Sequence, residues 1–248
     1  MGKKYKNPPI EEAVVEFRFV PGQEWDLTIP GKLHEHPDIK TQYSGKPRTQ
    51  KLLEAAFQAG SSRPPNVAIR EGIARIQLVD SGGQHLISIG SDTISVNTLR
   101  PYDGWELFRP RIKTALSAYF QVVLPAAVSR VGVRYINKIM VSGKDINIGT
   151  YFRYVLPTAP ELPGKIDGYF SRVEYIYEDA IKLLLTQATV DVPEGETAFV
   201  ADLDVIWESG EETDLNNIMA VVDKLHTREG EAFEAIITDA ARELFNGN

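Results

Sequence analysis

The chain has 248 residues, 43% hydrophobic and 25% charged, with a formal net charge of −7. That size suits one folded unit or two intimately packed halves, and the acidic balance argues against nonspecific coating of nucleic acid, which needs broad positive charge. The absence of cysteine removes thiol catalysis, disulfides and thiolate metal sites.

The N-terminus, MGKKYKNPPIEEAV, carries basic residues with no apolar run behind them, so it does not read as a signal peptide. Lys6 stands where a myristoylation signal needs Ser or Thr. No apolar stretch approaches the roughly 18 residues of a membrane span. The expectation is a soluble cytoplasmic protein with no membrane partner.

Pro8 and Pro9 force an extended entry. EAVVEFRF then alternates, with Ala13, Val15, Phe17 and Phe19 on one side and Val14, Glu16 and Arg18 on the other, which predicts a half-buried strand. Residues 26–36 read as a short helix with Pro30 in its first turn, and 48–59 as a helical piece. A meander follows, with strands over 73–80, 85–90 and 93–97 separated by turn residues. Residues 104–123 are amphipathic, with Trp105, Phe108, Ile112, Leu116 and Phe120 at helical spacing. Asp103 is the expected N-cap, and Pro110 should kink this helix or mark its true start.

SRVGVRYINKIMV (129–141) predicts a strand, and a proline-rich linker runs to about 166. Three further strands are expected at 168–178, 180–192 and 197–208. Residues 214–245 are helical in pattern, with Gly230 dividing or bending the segment. The order strand, insert, three-strand meander, helix thus occurs twice. VEFRF (15–19) aligns with VGVRY (131–135), matching Arg18 to Arg134 and Phe19 to Tyr135, and ARI (74–76) aligns with SRV (171–173), matching Arg75 to Arg172. The fold class expected is α+β: two tandem pseudo-repeats, 1–125 and 126–248, forming one compact antiparallel sheet with helices on one face.

Strand alternation collects Glu16, Arg18, Arg75, Gln77, Arg134, Lys138, Arg172 and Glu174 on the face away from the helices. One reading is a solvated face with cross-strand ion pairs, each worth less than about 1 kcal/mol. The other is a binding face, since arginine suits bidentate recognition of phosphate or carboxylate. The candidate binding residues are Arg18, Arg75, Arg134, Tyr135, Lys138 and Arg172, with Tyr135 stacking on the ligand.

The blocks NPPIEEAVVEFRF, ISVNTLRPYDGWELFRPRI, SRVGVRYINKI, LDVIW and LHTREGEAFEAIITDAARELF resemble a sporadically distributed, uncharacterised bacterial protein family of about this length. They fall in order from Asn7 to Phe245, and the family pattern covers Asn7, Pro8, Pro9, Arg18, Asn97, Trp105, Phe108, Arg134, Tyr135, Asn137, Phe233 and Asp239. The resemblance implies an accessory bacterial gene of a mobile or defence-linked cassette, including phage defence. It transfers no catalytic residues.

Signatures of catalysis are sparse. There is no G-x-S-x-G, Walker A or G-x-G-x-x-G. His34 and His36 make a poor metal pair on a helix, and His226 reads as a cap or surface residue near a helix end. Asp202 and Asp204 share a strand face and would be the metal or acid–base pair of an enzyme. Three functions follow. The first is a non-catalytic binding or adaptor protein, holding a protein partner or a small ligand on the open sheet face or in a groove between sheet and helix. The second is a nucleotide or nucleic-acid sensor using the arginine face. The third is a carboxylate enzyme. No cofactor, metal or catalytic residue is expected under the first.

Overall fold

The computed structural model describes residues 3–22, 24–50, 75–143, 147–153, 161, 168–190, 192, 196–208 and 212–247, and the backbone of 53–58 and 66–71. Strand β1 (Ile10–Val20) leads to two short helices, α1 (Ile29–Glu35) and α2 (Pro37–Lys40). Then come β2 (Arg48–Gln50), β3 (Leu53–Gln58), β4 (Asn66–Glu71), β5 (Arg75–Val79), β6 (His85–Ile89), β7 (Thr93–Leu99) and helix α3 (Trp105–Val123). The second half holds β8 (Ala127–Ser142), β9 (Phe170–Ile176), β10 (Ile181–Val190), β11 (Glu196–Trp207), α4 (Leu215–Ile236) and α5 (Asp239–Asn246).

Among the described residues nine strands form one antiparallel sheet in the order β2-β5-β6-β7-β1-β8-β11-β10-β9, with β3 and β4 paired separately. This is the α+β architecture the alternation predicts. Outward from the central β1–β8 pair, β7, β6 and β5 follow on one side and β11, β10 and β9 on the other. Helix α3 packs beside β7, and α4 packs on β8 and β11.

The helix side of the sheet is the core. Ala13, Val15, Phe17 and Phe19 of β1 are buried, as are Val131, Val133 and Tyr135 of β8 and Leu203 and Val205 of β11. Phe108, Ile112, Leu116 and Tyr119 of α3 close over them, with Tyr119 stacked on Phe19 at 4.3 Å. Ile218, Val222 and Leu225 do the same from α4. Phe108→Ala should cost about 3–5 kcal/mol, since the cavity it leaves is lined by atoms that cannot all collapse inward. Urea denaturation of the variant measures this.

Four local expectations are corrected. Residues 48–50 and 53–58 form strands rather than a helix: β2 pairs with β5 and β3 with β4, so strand partners outweigh local helix propensity. Asp103 does not cap α3; the N-cap is Gly104 at φ 100°, a backbone region that glycine enters without strain. Pro110 does not mark the helix start, since α3 begins at Trp105 and runs through it. Gly230 does not divide the C-terminal helix. α4 continues through it to Ile236, and the break comes at Ile237, which bridges to Phe152, and at Thr238, whose hydroxyl accepts from the Ala241 N–H to cap α5.

Candidate functional site: a cavity under an N-terminal strap

The two faces of the sheet carry different chemistry. On the face away from the helices, Glu16 accepts from Arg130 at 2.8 Å, Arg75 at 3.2 and 3.3 Å, and Arg18 at 3.3 Å. Arg130 also lies 3.2 Å from Glu208 and 3.7 Å from Asp204. Arg134 donates twice to Asp202, at 2.8 and 2.5 Å. Arg172 lies 3.7 Å from Glu174 on its own strand. The structure therefore brings Arg18, Arg75 and Arg134 onto one sheet face and gives each a carboxylate. Lys138 shares that face and has no carboxylate within ion-pair distance among the described residues. Asp202 and Asp204, weighed as a metal pair, are neighbours of arginines instead. Burial holds the Asp204 carboxyl up to about 6. Among the described residues no group of three His, Asp or Glu is placed to hold a metal.

Tyr135 is on the other side. It alternates with Arg134, so it cannot stack on a ligand held by the arginines. It lines a cavity of about 390 Å³ between β8, the start of α3 and α4, within the roughly 300–1,000 Å³ of small-molecule sites. Here the Tyr102 and Tyr135 hydroxyls meet at 2.9 Å, and Tyr135 reaches His226 Nδ1 at 3.2 Å. His226 stacks on Trp105 with ring centroids 3.8 Å apart. Burial lowers its pKa to about 4, so the ring is neutral and can accept from Tyr135. Burial raises the pKa of both tyrosines, which stay protonated donors.

Glu229, one turn beyond His226 on α4, lines the same cavity. It is buried, with 5% of its surface exposed. Desolvation pushes its pKa up to about 8, so it is protonated at neutral pH. Asp103, in the same lining, has one buried carboxylate oxygen with no hydrogen-bond partner, while its other oxygen lies 3.6 Å from His85. Asn137 closes the floor, donating to the carbonyls of Ala201 and Tyr135.

Residues 3–9 form a strap across the cavity mouth. The Asn7 N–H donates to the Phe245 carbonyl at 2.8 Å, and the Pro9 carbonyl accepts from the Lys138 N–H at 2.8 Å. Lys4 bonds Glu106 at 2.7 Å, and the Tyr5 hydroxyl donates to Glu234, itself held by Arg242. Pro8 and Pro9 carry no backbone N–H, so in this strap only their carbonyls can bond. Lys3, Lys4 and Lys6 set positive charge at the rim, and Trp105, Phe233 and Tyr5 supply apolar wall.

Sequence reading missed His226 and Glu229 as site residues. The signal was there for Glu229. The buried stripe of α4 runs Ile218, Val222, Leu225, Glu229, Phe233, Ile236, in steps of three and four, so an acid occupies a core position. The chain matches no family model and no curated protein.

Proposed function

We propose that this is a non-catalytic binding protein that holds a small ligand in the cavity between the sheet and α4, beneath the N-terminal strap. One observation carries the reading: the cavity is lined by Asp103, which has a buried carboxylate oxygen without a partner, and by the desolvated carboxyl of Glu229, while Tyr102, Tyr135 and His226 already bond one another. Leaving such a group unpaired costs about 1–3 kcal/mol, which a ligand donor or acceptor would recover. Aromatic walls with a few convergent polar groups are the usual make-up of such sites.

The arginine face supports its own proposals less well. A nucleotide or nucleic-acid phosphate would have to displace Asp202 from Arg134 and Glu16 from Arg18. A protein partner, as in an accessory bacterial assembly, would find a face of interspersed charge. We further propose that the mirrored strand order about β1 and β8 descends from the tandem pseudo-repeat of the sequence.

Native mass spectrometry of gently purified protein tests the cavity. The wild type should carry one small adduct per chain, and Glu229→Gln and Tyr135→Phe should each lose it by about tenfold or more in occupancy, as for one charged or neutral hydrogen bond removed. A wild type with no adduct, and no thermal shift across a metabolite panel, would sink the reading. A second reading has one favouring observation: a carboxyl titrating near 8 is matched to general acid–base work at neutral pH. Turnover of the bound compound, lost in Glu229→Gln, would establish it.

A further inference from the structure

β9 is the last strand on its side of the sheet, and among the described residues no strand pairs with its outer edge. Its inner edge is fixed to β10: the Tyr177 N–H donates to the Ile181 carbonyl at 2.8 Å, and the Tyr169 carbonyl accepts from the Thr189 N–H at 3.1 Å. In an antiparallel ladder a residue turns its N–H and C=O to the same neighbour, and successive residues alternate. The register is unbroken from Phe170 to Ile176. Phe170, Arg172, Glu174 and Ile176 therefore turn their backbone groups outward. Their side chains lie on the face away from the helices, and Phe170 and Ile176 are 69% and 87% exposed. An open edge with large apolar side chains is a template for another strand.

We propose that β9 is a dimerisation edge, pairing antiparallel with β9 of a second copy about a two-fold axis at Val173. The sequence selects both the partner and the register. An axis at Arg172 would set arginine against arginine, and one at Glu174 glutamate against glutamate; like charges directly opposite are destabilising. An axis at Val173 sets Arg172 against Glu174 twice and Phe170 against Ile176 twice. All four of these residues have outward backbone groups, so each such pair exchanges its two N–H···O=C bonds. Within one chain Arg172 and Glu174 approach only to 3.7 Å, with both side chains about half exposed, so neither is committed. The isologous arrangement is what a two-fold dimer needs, and it joins the two sheets into one. The interface is separate from the cavity and does not depend on its ligand.

The chain has no cysteine, which makes the test direct. At the axis, Val173 meets itself in a non-hydrogen-bonded pair, where Cα atoms sit about 4.5 Å apart, within disulfide range. Light scattering of the purified protein should give a dimer. Glu174→Arg should be monomeric, and Arg172→Glu/Glu174→Arg should restore the dimer. Val173→Cys should oxidise to a covalent dimer, whereas Arg172→Cys, whose opposite residue is Glu174, should not. Circular dichroism confirms that each variant is folded. A monomeric wild type, a dimer that survives Glu174→Arg, a folded charge-swapped variant that stays monomeric, or a dimer that Val173→Cys fails to cross-link would each overturn the proposal.

Discussion

Glu16→Ala is expected to lower stability by about 2–3 kcal/mol, and Glu16→Gln by about 1 kcal/mol. Glu16 accepts from three arginines, Arg18 on its own strand, Arg75 on β5 and Arg130 on β8, and its side chain is only 20% exposed, as is that of Arg75, while Arg130 is 13% exposed. Breaking a fully buried pair costs about 3–5 kcal/mol because the remaining charge is left desolvated. Here residual hydration and the second partners of Arg130, Glu208 and Asp204, reduce that figure. Among the described residues Arg75 keeps no carboxylate, and it carries most of the loss. Urea denaturation at neutral pH gives the number, and the loss should persist at raised ionic strength, since partly buried pairs are weakly screened. The same variant separates two uses of the arginines. If they serve to knit the sheet, Glu16→Ala is simply less stable. If they serve a phosphate ligand, the variant frees them, and binding of a nucleoside triphosphate should strengthen and fall steeply with salt.

Much of this face was legible in the sequence because strand parity is a local property. Val131, Val133 and Tyr135 against Arg130, Arg134 and Lys138 needs no knowledge of neighbours. What parity cannot supply is register. Asp202 and Asp204 fall on the same face by the same rule, yet read alone they suggested a metal pair. Only the β8–β11 pairing, with Arg134 opposite Asp204, shows that they neutralise arginines. Pairing also explains the misread 48–59 segment, whose helical pattern yields to strand partners elsewhere in the chain. The cavity was hidden for a related reason. It is made by residues 3–9, the 102–106 turn, β8 and α4, which meet only in the folded chain. Tyr135 belongs to the core face, since its alternation with Arg134 sets it opposite the arginines. Glu229 was detectable as an acid in an apolar stripe. His226 was not, because its burial depends on Trp105 stacking from another helix.

Between pH 6.5 and 8, the wild type should lose about 2 kcal/mol of stability relative to Glu229→Gln. The Glu229 carboxyl has an ordinary value of 4.5 and is raised by burial to about 8 in the folded chain. Between those values the folded state keeps a proton that the unfolded state has released. Stability therefore falls as pH rises through this window and levels off above 8, at about 1.4 kcal/mol per pH unit. His226 runs the other way. Its ordinary value of 6.5 is lowered to about 4, so the unfolded state binds the extra proton and stability rises with pH between 4 and 6.5. Asp204, raised from 3.8 to about 6, has the sign of Glu229 but acts only below 6. Of these three, Glu229 alone acts between 6.5 and 8, and the difference between wild type and Glu229→Gln isolates it. Denaturation midpoints at half-unit pH steps measure the effect, and parallel curves for the two proteins would show that the carboxyl is not held protonated. Above pH 8 the glutamine variant should be the more stable protein while binding its ligand less well. The native acid thus trades stability for a group that can meet a ligand, and a ligand that donates to the ionised carboxyl should flatten the wild-type slope.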